Sequence, residues 1–327
     1  MDWNKTESDG RDQKGPSSKE WKLIEKMVSQ MGVEQRRSRR WGVLFKLLTF
    51  AYLFALLVVM SQGFGGGSLS QADKFTALVD VRGVIADEER ASADTIVSGL
   101  RAAYEADGTQ AVVMRINSPG GSPVQAGYVY DEMKRLRELH ADIPLYAVIS
   151  DIGASGAYYI AAAADRIYAD KASLVGSIGV VASGFGFVET MEKVGVERRL
   201  YTSGKHKAFL DPFSDEKEEE VEFWQNVLSQ THEQFISKVK EGRGERLVAQ
   251  GDQVFSGLIW NGEQALEMGL IDGLGSTGFV AREVVGAEEI VDFTPKPGPF
   301  EQFTSSLGVA AGEALAKFVQ FGGVGLR

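Results

Sequence analysis

AVVMRINSPGGSPVQAGYVYDEMKRLRELHADIPLYAVIS, residues 111–150, decides the fold. An apolar run over 111–118 stops at a proline and two glycines. A helix-period segment follows over 123–140, and a second apolar run begins at 144. Short apolar runs without polar alternation are what strands buried on both faces look like. The same order recurs on either side. FTALVDVRGVI (75–85) and DRIYAD (165–170) read as further strands, with helix-period segments at 92–106 and 154–164. Strand–helix alternation predicts an α/β domain on a largely parallel sheet. Beyond it, SDEKEEEVEFWQNVLSQTHEQFISKVKEGRG (214–244) reads as one long helix. Val221, Trp224, Leu228, Phe235 and Val239 form its apolar stripe, and the acidic run its solvated face.

The whole chain has 327 residues, 44% of them hydrophobic and 24% charged, the composition of a folded protein. It has no cysteine, which excludes disulfides and thiolate metal sites. Its three histidines have no metal-ligand spacing, and a net charge of −10 argues against a nucleic-acid partner. Basic residues nevertheless concentrate early, with RRSRR (36–40) directly before GVLFKLLTFAYLFALLVVM (42–60). That apolar stretch carries one charge, Lys46, near enough to its start to snorkel, and it predicts a membrane-spanning helix. The arginines ahead of it predict a cytoplasmic N-terminus and a translocated body. A cleaved signal peptide fits less well, because MSQGFGGG lacks an A-x-A pattern and the polar lead is long.

The expected organisation is then a partly disordered cytoplasmic segment (1–41), the transmembrane helix (42–60), a flexible glycine-rich linker (61–74), the α/β domain (75–293) and a tail (294–327). Trp21, Ile24, Met27 and Met31 mark a short helix in the first of these. Phe300, Phe303, Leu307, Ala311, Leu315 and Phe318 mark an amphipathic helix in the last.

Two turns carry possible chemistry. GASGAYY (153–159) places Ser155 where a strand meets a helix, and NSPGG (117–121) leaves backbone amides unpaired at a similar junction. Ser155 reads either as a nucleophile or as a small residue where backbones pack closely. The amides read either as an oxyanion hole or as an ordinary turn. A serine nucleophile needs a base, and no histidine stands in a recognisable triad order. His140 and His232 lie in charged helical surroundings and read as surface residues.

GSIGV (176–180) and YTSGKHKAFLDPF (201–213) complete a set of four motifs. Together with GLIWNGEQALEMGLIDGLG (257–275), they resemble the signal peptide peptidase A family of membrane-anchored serine peptidases, including its SohB-like single-length members. The resemblance runs from about Phe75 to Phe293. It implies a ClpP/crotonase-like fold with repeated β-β-α units and a Ser–Lys dyad. By position Ser155 matches the nucleophile, Lys207 the general base, Gly120, Gly121 and Gly156 the oxyanion hole, and Ser177 the hydroxyl that orients the lysine. It further implies a protein of the bacterial inner membrane with its catalytic domain outside the cytoplasm. Cleaved signal peptides would be its substrates, no cofactor would be needed, and a homo-oligomeric ring would complete the dyad between protomers.

A lysine in water titrates near 10.4, and a useful base must titrate at about 7–8. Burial away from carboxylates achieves this, so Phe209, Leu210 and Phe213 are expected to form an apolar wall, with Asp211 turned elsewhere. Lys205 and His206 are chemical rivals, and the motif spacing favours Lys207. Two other functions remain compatible with the fold: a crotonase-like acyl-CoA enzyme, and a non-catalytic membrane scaffold. An outward-facing domain is wrong for the first, and the presence of both Ser155 and Lys207 argues against the second.

Overall fold

The structure, a computed structural model, describes residues 21–22, 25–26, 41–55, 74–248, 251, 253–296 and 298. The chain divides into two units between Ser68 and Leu69. In the first, Trp21, Lys22, Glu25 and Lys26 are helical, and so are residues 41–55, whose Phe45, Phe50 and Phe54 are exposed. Among the described residues no helix is long and apolar enough to cross a membrane. The expected span runs on to residue 60, and 56–60 lie outside the described residues, as do 61–73 of the linker and the tail helix.

The second unit is an eight-stranded sheet. Its strands are β1 (Phe75–Arg82), β2 (Thr109–Ser118), β3 (Leu145–Ala154), β4 (Arg166–Ala169), β5 (Leu174–Gly176), β6 (Ile259–Trp260), β7 (Gly273–Leu274) and β8 (Ile290–Asp292). The order is β6-β5-β3-β2-β1-β8, with β4 beside β3 and β7 beside β4, and every pairing except β5–β6 is parallel. β3 forks: Tyr146–Ile149 pair with β4, and Ile152–Ala154 pair with β5. Both faces of the sheet are covered, which is why its strands are nearly all apolar. Ala77, Val79 and Val81 join the main core, while Leu78 turns to a smaller cluster with Val113, Val148, Tyr168 and Val280.

The crossovers follow from local chemistry. Ser92 caps α1 (Ala93–Glu105), accepting from the Thr95 amide. Ser122 caps α2 (Pro123–Leu139), where Pro123 at the first position needs no donor. The expected second strand of the first two units is reduced to one bridge, Ile85 with Gly121. Gly83 and Gly120, at φ 85° and 102°, turn the chain out of the extended region where those strands would begin.

The segment after β5 holds α4 (Val188–Val194) and is largely exposed, and it leads to the expected long helix, α5 (Glu218–Arg243). The C-terminal end of α5 is clamped in the core. Gly242 passes so close to Ala162 that a Cβ there would lie 1.9 Å from the Ala162 carbonyl oxygen. Arg243, fully buried, donates Nη1 and Nη2 to the Asp272 carboxylate at 2.7 and 2.9 Å, and Nε to the Gly269 carbonyl at 2.9 Å.

Burial raises the Asp272 pKa, but hydrogen bonds from Arg243, and then the charge of that guanidinium, more than offset it and leave the carboxyl below its usual range. The sign follows. The pair's stabilisation is complete above the ordinary aspartate value of about 3.9 and is lost as pH falls through the lower folded value. Arg243→Ala leaves the largely buried Asp272 carboxylate with only Arg246 Nη1, at 3.2 Å, and the Ile167 amide, at 2.7 Å, and is expected to cost about 3 kcal/mol in chemical denaturation at neutral pH. A loss below about 1 kcal/mol would mean that Arg246 or water takes over the carboxylate.

Candidate active site

Ser155 stands between the end of β3 and the start of α3 (Gly156–Ala161), at φ 54°. A left-handed conformation costs a non-glycine residue about 1–3 kcal/mol and persists only where its surroundings enforce it. Here the Ser155 amide donates to the Gly176 carbonyl at 2.8 Å, and its carbonyl accepts from the Tyr159 amide at 3.0 Å. The hydroxyl is not used to cap the helix. It opens onto a cavity of about 580 Å³ lined also by Ser177, Tyr159, Thr231, His232 and Phe235.

The NSPGG turn presses against this serine. A Cβ on Gly120 would lie 2.7 Å from the Ala154 carbonyl oxygen, the Gly156 nitrogen and the Ser155 Cβ. Only glycine allows that approach, and its φ of 102° demands glycine as well. The Gly120 amide is engaged, however, donating to Ser118 Oγ at 3.2 Å. Gly120, expected among the oxyanion donors, thus has its amide partnered within its own turn. Gly121 and Gly156 remain as an adjacent pair beside Ser155: the Gly121 nitrogen is 3.3 Å from where a Gly156 Cβ would stand. Gly156, first in its helix, has no intrahelical acceptor for its amide.

Ser177 is held at φ 52° by its amide, which donates to the Leu258 carbonyl at 2.7 Å, and it shares the cavity with Ser155. Lys207 does not. It is exposed, outside the cavity lining, and its side chain makes no hydrogen bond or ion pair among the described residues. Its neighbours are engaged: Lys205 Nζ lies 3.2 Å from Glu219, and His206 Nδ1 lies 3.8 Å from Glu220.

Among the described residues Lys207 is exposed, without the expected apolar wall around its amine. Phe209 packs edge-on against Phe223 and Trp224 instead, and Phe213 stacks on Phe187 beneath Arg198. Asp211 is turned away as expected, bound to Arg198 and to Ser214 Oγ, and the Arg198 guanidinium holds its carboxyl below the usual range. A third left-handed residue, Leu210 at φ 48°, stands in this segment.

His232 corrects the expectation of a surface residue. It lines the cavity, with Nε2 3.0 Å from the Ile178 carbonyl oxygen. The signal was present in the sequence. The apolar stripe of α5 steps from Leu228 to Phe235, and positions 231 and 232, which continue it, are polar. His140 stacks on Tyr104 at 5.1 Å. Among the described residues no group of His, Asp and Glu could hold a metal ion.

A family model for peptidase family S49 matches residues 137–288, which include both Ser155 and Lys207. The chain belongs to peptidase family S49, the signal peptide peptidase A family of serine peptidases. A Clp protease model matches residues 67–174 and agrees with the mixed sheet, giving a ClpP-like α/β fold.

Among relatives, a Synechocystis protein provisionally named as a protease is 34% identical over 203 residues, covering 62% of this chain and 70% of that one. An Enterococcus faecium protein provisionally named signal peptide peptidase SppA is 32% identical over 212 residues, covering 62% and 61%. A Brucella melitensis protein named Na(+)/H(+) antiporter NhaA is 45% identical over 189 residues, covering 57% of this chain but 25% of its own length. The chain thus spans between a quarter and about 60% of the Brucella and Enterococcus relatives.

Proposed function

We propose that this chain is a membrane-anchored serine endopeptidase that degrades cleaved signal peptides and other membrane-associated peptides. Ser155 attacks the peptide carbonyl, and Lys207 accepts its proton and returns it to the leaving amine. The Gly121 and Gly156 amides stabilise the oxyanion, Gly120 makes room for them, and Ser177 orients the lysine amine. The acyl-enzyme is then hydrolysed, which restores Ser155. The observation that carries this reading is the company Ser155 keeps: a strained turn, two adjacent amides and a second strained serine around one cavity.

The separation of Lys207 from that cavity favours a dyad completed by a neighbouring copy. Lys207 is exposed and unpaired among the described residues, on a segment that also exposes Val181, Phe185 and Tyr201 by 87%, 81% and 88%. A ring in which each copy offers this segment to the next would bury those side chains and give the lysine its desolvated setting. The apolar run at 42–60, behind RRSRR, supports a single anchor in the inner membrane with the domain outside the cytoplasm.

A fluorophosphonate probe tests the chemistry directly. The full-length protein is expected to be labelled once per chain and to cleave a signal-peptide substrate, and Ser155→Ala is expected to lose both. Labelling that persists in Ser155→Ala would move the nucleophile elsewhere.

A further inference from the structure

We propose that Glu220 is the positioning residue of the lysine-bearing segment, fixing the backbone just beyond Lys207, at Leu210, while leaving the lysine amine unpaired. The inference rests on the reading of Lys207 as the base. Glu220 lies in an acidic run, SDEKEEE (214–220), in which every other residue is exposed. Glu220 alone is turned inward, its side chain 5% exposed. A buried carboxylate is unfavourable unless its oxygens are well partnered, and the partners here are specific. Oε2 accepts from the Leu210 amide at 3.2 Å. Oε1 accepts from Lys217 Nζ at 2.9 Å and lies 3.8 Å from His206 Nδ1.

Two of these three partners flank Lys207 in sequence, one residue before it and three after. The carboxylate thus holds the backbone at Leu210, stands near the His206 ring, and does not pair with the lysine between. The Lys217 ammonium, and then the Leu210 amide, hold the Glu220 carboxyl below the usual range, so it stays ionised.

Leu210 explains why such a grip is needed. It is one of three non-glycine residues with positive φ among the described residues, and the other two are Ser155 and Ser177. All three strained points therefore fall in the proposed catalytic apparatus. Strain at Ser155 and Ser177 is held by backbone ladders, whereas at Leu210 the amide is held by a side chain. Without that acceptor Leu210 relaxes to negative φ, and the chain leaves Lys207 in another direction. Glu220 also occupies the first turn of α5, where any carboxylate interacts favourably with the helix end. The experiment must separate that role from the grip on Leu210.

The assay is the fluorophosphonate labelling rate of the full-length assembled protein, with melting temperature measured alongside. Glu220→Ala is expected to label about ten- to a hundredfold more slowly, the range that one released backbone strain can span. Glu220→Gln, which keeps an acceptor oxygen for the Leu210 amide, is expected to retain most of the rate. Adding Leu210→Gly to Glu220→Ala is expected to restore most of the loss, because glycine adopts the left-handed conformation unaided. A helix-end role gives no such rescue, and its absence overturns the inference. Should Glu220→Ala fail to fold, Leu210→Val reads the same point, since a β-branched residue resists positive φ with Glu220 intact. A wild-type rate in that variant is equally fatal. Lys207→Ala is run in parallel: dead, beside a fully active Glu220→Ala, it sinks this inference alone; active, it sinks the base assignment and this inference with it.

Discussion

Lys207→Ala is expected to slow acylation of Ser155 by about a hundred- to ten-thousandfold, the range that a general base contributes. Lys205→Ala and His206→Ala are expected to stay within about threefold of the parent, because Lys205 and Glu219 form an exposed ion pair and the His206 ring lies 3.8 Å from Glu220 without a hydrogen bond. The contrast is strong because the three residues are consecutive and all exposed. Lys205 Nζ and His206 Nδ1 already have carboxylates nearby, at 3.2 and 3.8 Å. Lys207 has no such partner among the described residues. Labelling rates with a fluorophosphonate, measured for all three variants under one condition, decide the matter. If His206→Ala is the dead variant, a histidine mechanism replaces the dyad.

The second large effect is a recovery. Ser155→Ala and Lys207→Ala proteins, each inactive alone, are expected to regain activity when assembled together. Equal amounts mixed at random in a closed head-to-tail assembly leave about a quarter of the contacts with an intact serine facing an intact lysine. Peptide hydrolysis by the mixture should therefore approach about a quarter of the parent rate. Co-assembly is checked by pulling down one variant through a tag on the other. Co-assembled but inactive mixtures would mean that each chain builds its own site, which would require the Lys207 segment to fold back onto Ser155.

Much of this arrangement was legible in the sequence, and the illegible parts have physical causes. β1 to β4 and the first three helices lie close to where the apolar runs and helix periods place them, because a sheet buried on both faces writes itself as continuous hydrophobicity. β5, β6, β7 and β8 carry no such mark, since strands of two or three residues have no period. Ser155, Gly121 and Gly156 come together because their turns sit at the ends of adjacent parallel strands, a consequence of topology that spacing alone does not contain. The engaged amide of Gly120 depends on the Ser118 hydroxyl two residues away, a local detail with no signature. His232 was hidden by its charged neighbours. Arg243 and Glu220 each stand in charged runs, and nothing in a charged run marks which member turns inward.

α5 is 26 residues long, and it touches three parts of the molecule. Its C-terminal end is bolted down by Arg243 and Asp272, its middle lines the cavity at Thr231, His232 and Phe235, and its first turn holds the lysine segment through Glu220. From Arg243 to Glu220 the rod measures about 35 Å at 1.5 Å per residue. One degree of play at the bolt therefore swings the far end by about 0.6 Å. Misplacing a catalytic group by about 1 Å can cost a hundredfold in rate. In the proposed assembly, the aim of Lys207 toward a neighbouring copy would be set at the far end of the helix that follows it, and the stiffness of one buried ion pair would become a tolerance on the catalytic geometry of the next molecule.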